Sequence, residues 1–219
     1  MSNITINKND SNTILYVDGK PQMIIPHNLA TNQKLSEVDF VRSVELLNNK
    51  PQIDVLNVGL GAGYTAVEFL KLNNLGLLDI VELYPEMADR LIEFDNEVLL
   101  NNRKVFFKFQ NIINYVKETD KKYDYIAIDI CQPELNASNS VFTYEFLKDV
   151  KKITKEDGIF VLWFYKINEQ YLDTRRVIMN SLKDIYKNVS MNYCDDYKER
   201  HDIYFFASDT HIYNKNAII

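Results

Sequence analysis

Apolar and polar residues follow two periods along this chain, and the switches between them predict its elements. Ile4 and Ile6 alternate with polar neighbours, Asn9-Asp10-Ser11 supplies turn chemistry, and Thr13 to Val17 returns to the period of two. Asp18-Gly19 predicts a tight hairpin turn into Gln22 to Ile25. Pro26 to Asn32 reads as a loop carrying His27. Ser36, with Asp39 three residues later, then starts a helix whose apolar face is Leu35, Val38, Val41, Val44 and Leu47, running to about Asn49. From Ile53 onward short apolar runs alternate with helical periods. Strands are expected at Ile53–Val58, Leu77–Val81, Val105–Phe109, Tyr123–Asp129 and Ile159–Tyr165, and an antiparallel pair at Val189–Tyr193 and Ile203–Ala207. Helices are expected around Ala66, Val67, Phe69, Leu70 and Leu72, and after Pro85 with Met87, Leu91, Ile92 and Phe94 buried. Others are expected at Ile112–Lys117, through Phe142, Phe146, Val150 and Ile153 as far as Asp157-Gly158, and at Leu172–Ile185. The tail from Thr210 is expected to fray. Strand–helix alternation of this kind is an α/β architecture: a Rossmann-like, mostly parallel seven-stranded sheet with an antiparallel C-terminal pair. Residues 1–32 form a β-hairpin appendage and residues 33–219 the ligand-binding domain.

The most informative stretch is Ile53 to Glu82. A strand enters the turn Gly59-Leu60-Gly61-Ala62-Gly63, a helix follows, and a second strand ends in Glu82. Glycines let backbone bend tightly and approach a ligand without a Cβ between them. An acid at the tip of the second strand can accept both hydroxyls of a ribose. Dinucleotide sites use G-x-G-x-x-G, whose third glycine lets the helix close on a pyrophosphate. Here Tyr64 stands in that third place, so the pattern suits an adenosine without phosphates, such as S-adenosylmethionine or a relative. The competing reading is a bare strand-to-helix turn, which Glu82 at the next strand end argues against. Ligands in open α/β sheets lie beyond the carboxyl ends of the strands. That rule gathers the glycine turn, Glu82, Leu83, Gln110, Asn111 and Asp129 around one cleft.

Composition narrows the partners. The chain has 219 residues, 46% hydrophobic and 12% aromatic, and a net charge of −6, which disfavours a polyanionic partner such as nucleic acid. Two cysteines, Cys131 and Cys194, lie far apart, so neither a disulfide framework nor a zinc site is expected, and no metal is assigned. The start MSNITINKND is polar, and Gly158–Tyr165 is too short an apolar run for a bilayer, so no membrane span is expected and a cytoplasmic location is the default.

The same residues resemble the spermidine synthases and their relatives, a branch of the class I S-adenosylmethionine-dependent methyltransferase superfamily. Leu15-Tyr16-Val17-Asp18-Gly19 with Gln22 is similar to that family's LxLDGxxQ hairpin. The likeness continues through VLNVGLGAG, IVELYPEM and KVFFKFQNIINYV, where family members carry an acid pair at Gln110 and Asn111. It is clearest from YDYIAID onward, with a D-x-x-x-P loop at Asp129-Ile-Cys-Gln-Pro133 and then F-T-x-E-F and E-D-G-I-F. The resemblance covers nearly the whole chain. It implies aminopropyl transfer from decarboxylated S-adenosylmethionine to a small amine, with Asp129 as the acid that orients the nucleophile and takes its proton. It also implies Gln22 and Gln132 on the acceptor side, and a homodimer; Tyr64, beside the glycine turn, and Tyr144, near the pocket-forming segments, are candidate substrate contacts by position.

Three departures bear on chemistry. Ala62 stands at the aspartate of the family's GGGDGG, Gln132 replaces the second acid of DSSDP, and the DEFxYHE gate is not recognisable in Pro26 to Phe40. Without an acid at Ala62, a donor that keeps its carboxylate avoids a like-charge clash of roughly a few kcal/mol. The expectation leans to S-adenosylmethionine itself, with aminopropyl, aminocarboxypropyl and methyl transfer all open. One alternative is methylation of a small molecule. The other is a non-catalytic nucleoside-binding partner or sensor, which the losses at Ala62 and Gln132 favour and the retention of Glu82 and Asp129 opposes.

Overall fold

The computed structural model describes residues 3–27, 40–130, 139–164, 172–193 and 203–214. The predicted hairpin unit is a three-stranded antiparallel sheet of β1 (Ile4–Lys8), β2 (Asn12–Val17) and β3 (Lys20–Pro26), in that order. Asp18 and Gly19 turn the second corner with φ of 51° and 75°, the positive pair of a type I′ turn. Leu15 faces Met23 and Tyr16 faces Pro21, so Gln22 is the extra residue of a β-bulge. Bulges re-aim a side chain. Here the result is a Gln22 amide whose Nε2 is enclosed, with no hydrogen-bond partner among the described residues.

A second sheet holds β4 (Ile53–Val58), β5 (Leu75–Glu82), β6 (Val105–Phe109), β7 (Tyr123–Ile128), β8 (Thr154–Phe164), β9 (Asn188–Tyr193) and β10 (Ile203–Ser208). Their spatial order is β6-β5-β4-β7-β8-β10-β9. β4 to β8 run parallel, and β10 is antiparallel to both β8 and β9. The helices are α1 (Tyr64–Leu70), α2 (Ile112–Glu118), α3 (Tyr144–Ile153) and α4 (Leu172–Ile185). They are joined by 3₁₀ helices at Arg42–Leu47 and Pro85–Phe94. Strand side chains alternate between two cores, as a sheet covered on both faces requires. Val55, Ile80 and Tyr125 pack with Phe69, Leu91 and the β1–β3 residues Ile4, Leu15 and Val17. Leu56, Val81 and Ile126 pack with Val116, Val150 and Leu182 on the other side. The three-stranded sheet therefore shares the α1-side core.

Several elements differ from the sequence expectation. The described end of the expected 36–49 helix is the 3₁₀ segment Arg42–Leu47; its apolar positions Val41, Val44 and Leu47 are buried, and Leu35, Ser36, Val38 and Asp39 lie outside the described residues. Ile92 is 65% exposed rather than buried. Met87, Ala88, Leu91 and Phe94 share the inner face of the Pro85–Phe94 segment, and Ile92, a step of roughly 100–120° beyond Leu91, falls off it. α3 ends at Ile153, not at Gly158, because Thr154 turns extended while its Oγ1 donates to the Val150 carbonyl. β8 thus begins earlier, with a register shift opposite Tyr123/Tyr125. Phe142 belongs to a separate 3₁₀ turn, and Thr143 caps α3 by accepting from the Phe146 N–H. The described part of the tail is packed at Tyr213 rather than free. Tyr213 stacks near Tyr204 and Phe206 and its carbonyl accepts from Ser190 Oγ. No helix among the described residues is long and apolar enough to cross a membrane.

Candidate donor and acceptor site at the strand tips

Strand order reverses between β4 and β7, so connections leave their carboxyl ends in opposite directions and a crevice opens there. Gly59 and Asp129 flank it. The Asp129 N–H donates to the Val58 carbonyl at 2.8 Å, which closes the two strand ends on each other. Gly59 has φ +90°, and a Cβ built there would run into the Asp129 carbonyl oxygen. This position admits glycine alone.

The turn is fixed through its backbone. Asn57 Nδ2 donates to the Gly59 carbonyl at 2.6 Å and Leu60 N–H donates to Glu82 Oε2 at 2.9 Å. Gly63 N–H donates to the Leu60 carbonyl at 2.8 Å, and Asn96 Nδ2 to the Ala62 carbonyl at 2.7 Å. Gly61 is a second left-handed glycine, with Met23 of β3 lying over the space a Cβ would take. The Ala62 side chain is fully buried. Tyr64, half-buried, packs against the α1-side core.

Glu82 is 7% exposed. Burial pushes its pKa up, and the N–H groups of Tyr84, Leu60 and Leu83 pull in the other direction without cancelling the rise. Tyr84 N–H donates to Oε1 at 2.9 Å, so both oxygens are oriented by backbone donors. A carboxylate offers about four acceptor positions, more than these donors fill, so Glu82 can still accept from a sugar hydroxyl. Gln110 lies beside it, its N–H donating to the Glu82 carbonyl at 3.0 Å. Asn111 caps α2: its Oδ1 accepts from Ile113 N–H at 2.8 Å, so that oxygen is committed to the helix. Leu83 is 42% exposed at the rim. These residues fit a phosphate-free nucleoside. They supply three left-handed glycines closely packed by Asp129, Met23, Leu91 and Leu99, a ribose-competent acid, and an aromatic where a phosphate cradle would have its last glycine.

Across the crevice, Thr65 Oγ1 donates to Asp129 Oδ2 at 2.5 Å. Tyr144 is 41% exposed at the start of α3, and Gln132, Cys131 and Pro133 lie outside the described residues. His27 lies in the turn after β3, as expected, and ties that turn to the hairpin unit: its Nε2 meets Thr13 Oγ1 at 2.8 Å.

Sequence reasoning missed Asn57, Thr65 and Asn96. Asn57 did carry a signal, as the one amide inside the apolar run IDVLNV. Thr65 could be found only by knowing that α1 starts against the end of β7. Asn96 sits beyond a 3₁₀ helix and gives no local sign.

Comparison with known proteins bears on the family and the fold. Residues 37–208 match the family model "Spermine/spermidine synthase domain". Among relatives, the polyamine aminopropyltransferase of Sulfurisphaera tokodaii is 27% identical over 180 residues, 80% of this chain and 57% of its own length. Polyamine aminopropyltransferase 2 of Aquifex aeolicus is 30% identical over 190 residues, covering 79% of this chain and 34% of its own. The chain thus spans about half the length, or less, of such relatives. In fold, it superposes on spermidine synthase from Thermotoga maritima with a TM-score of 0.74 at 19% identity, over 95% of this chain and 70% of that one. Human methyltransferase-like protein 13, solved in complex with SAH, gives 0.62 at 19% identity over 84% and 82%. The match across most of its length and the shared fold make this chain a member of the spermine/spermidine synthase domain family.

Proposed function

We propose that this protein is a transferase that takes S-adenosylmethionine or its decarboxylated form as donor and moves an alkyl group to a small amine. The observation that carries the reading is Glu82, an acid with its oxygens aligned by the Leu60 and Tyr84 N–H groups at the tip of β5, beside a turn with glycine at three of its five positions. The adenosine lies across the ends of β4 and β5 with its diol on Glu82, and Gln110 and Asn111 stand next to the base. Asp129, steadied by Thr65, faces the acceptor together with Gln22, Tyr64 and Tyr144, and Gln132 is assigned to the acceptor from the sequence alone.

In the reaction the amine lone pair attacks a carbon bound to the sulfonium. The new C–N bond forms as the C–S bond breaks, and its electron pair stays on sulfur, which becomes a neutral thioether. The proton on the amine passes to Asp129. A sulfonium is already a good leaving group, so placement of the amine supplies most of the acceleration. The neutral Ala62 in place of an acid supports S-adenosylmethionine as the preferred donor. The relatives named as polyamine aminopropyltransferases support an amine acceptor.

Calorimetry with methylthioadenosine tests the donor site. Incubation with each donor and putrescine, spermidine or cadaverine then tests the chemistry. Methylthioadenosine released from either donor identifies aminopropyl or aminocarboxypropyl transfer, and S-adenosylhomocysteine identifies methyl transfer. Nucleoside binding without turnover on any amine favours the sensor reading. Failure to bind any adenosine derivative overturns the proposal.

A further inference from the structure

Asn57 is linked to Glu82 through the Gly59–Leu60 peptide, although it is not placed to touch a substrate. It is 1% exposed within a strand whose other core-facing residues are apolar. Its Nδ2 donates to the Gly59 carbonyl at 2.6 Å. That carbonyl and the Leu60 N–H belong to one peptide plane, and the Leu60 N–H donates to Glu82 Oε2 at 2.9 Å. The side-chain amide, the Gly59–Leu60 peptide and the carboxylate therefore form one chain of hydrogen bonds. Because a peptide is planar, fixing its carbonyl end fixes the direction of its N–H end. Gly59, at φ +90°, is the residue around which this plane would otherwise swing.

The amide orientation is set by chemistry. Turning it over would bring Oδ1 against the Gly59 oxygen, two acceptors with no proton between them. In the observed orientation Oδ1 is enclosed and has no hydrogen-bond partner among the described residues. An apolar side chain would avoid that unpaired oxygen, so the amide is present for what its Nδ2 does.

We infer that Asn57 is the positioning residue of the ribose grip, holding the Gly59–Leu60 peptide so that its N–H orients the Glu82 carboxylate toward the sugar diol. This rests on the donor-site reading above. It predicts an effect confined to ligands that carry the diol. A side chain that merely filled the core would affect all ligands alike.

The test compares methylthioadenosine with 2′,3′-dideoxyadenosine by calorimetry, in the parent protein and in Asn57→Leu, which removes the donor and keeps similar bulk. The parent is expected to prefer methylthioadenosine. The variant is expected to lose about tenfold on methylthioadenosine and to bind the dideoxy compound unchanged, as the loss of roughly one charge-linked hydrogen bond implies. Amide hydrogen exchange should show loss of protection at Leu60 with Gly63 retained. If Asn57→Leu does not fold, Asn57→Ala, which only removes atoms, is read the same way. Equal loss on both ligands, or a ribose preference that survives either substitution, overturns the role of Asn57. A parent that binds neither compound overturns the donor site itself and is thereby told apart.

Discussion

Thr65 Oγ1 donates to Asp129 Oδ2 at 2.5 Å, joining the first turn of α1 to the residue just beyond β7. Sixty-four positions separate them in sequence, yet both flank the crevice where strand order reverses. A hydroxyl donating to one carboxylate oxygen fixes the plane of the acid, which decides where an incoming amine would find it.

Thr65→Val keeps the shape of this side chain and removes the donor. Turnover is expected to fall about 10- to 100-fold, the usual scale for a reacting group that loses its alignment. Affinity for methylthioadenosine should stay within twofold, because Thr65 does not contact Glu82. Steady-state rates beside calorimetric affinities check this. An equal loss in both would place Thr65 in the donor site instead.

Glu82→Gln addresses the other side of the crevice. The carboxamide has nearly the same shape but turns an NH₂ toward a backbone N–H and offers a ribose weaker acceptors. Hydrogen bonds to a charged group contribute about 1.5–3 kcal/mol, so affinity for methylthioadenosine should fall roughly 10- to 100-fold. In the parent, binding requires the carboxylate, and burial raises its pKa above the ordinary 4.5. Affinity should therefore weaken on acidification with a midpoint above that value. Stability of the unliganded fold runs the opposite way: a raised pKa means Glu82 costs stability as pH rises from the unfolded to the folded value. Calorimetry across pH reads the first effect and denaturant melts the second.

The two-period hydropathy pattern was enough to expose the sheet, because β4, β5 and β7 are buried runs bounded by glycine or acid. Glu82 was readable for the same reason: an acid ending an apolar strand in this fold has one place to be. What stayed hidden depends on contacts between segments distant in sequence. Asn96 reaches the Ala62 carbonyl across 34 positions, and no local pattern encodes that. Ile92 lies outside because the face is set by Met87, Leu91 and Phe94, and the next residue after Leu91 is turned about 100° or more away from it. Asn111 is gathered into the cleft by its position, while its capping of α2 appears only in the structure, where its oxygen satisfies an N–H that would otherwise lack a partner.

At the opposite end of the sheet, Asp124 accepts from Lys50 at 2.6 Å, Lys155 at 2.7 Å and the Asp54 N–H at 2.8 Å. Burial alone would raise its pKa. The bonds from Lys155, Lys50 and the Asp54 N–H outweigh that and hold the carboxyl below its ordinary 3.8. A lowered acid pKa gives stability that is present above the unfolded value and is lost as pH falls through the folded one. Asp124→Asn should cost about 2 kcal/mol at pH 7, less than a fully buried pair would because both lysines retain some contact with water. The difference from the parent should shrink below about pH 4. Urea melts at pH 7 and pH 3.5 check both statements. Donor binding at pH 7 should be unchanged, since this network lies at the far ends of the strands.

Ala62→Asp tests what selects the donor. The Ala62 side chain is fully buried and its carbonyl is held by Asn96, so a substituted side chain inherits a fixed backbone. A carboxylate there would repel the carboxylate of S-adenosylmethionine and attract the lone ammonium of the decarboxylated donor. Juxtaposed like charges cost up to several kcal/mol, so the ratio of affinities should move by more than about tenfold toward the decarboxylated compound. Ala62→Asn has nearly the same volume without the charge and separates crowding from electrostatics. It should weaken both donors alike and leave their ratio in place. Competition of each donor against methylthioadenosine gives the two ratios directly. A shift of equal size in both variants would mean that space, not charge, sets the preference at this position.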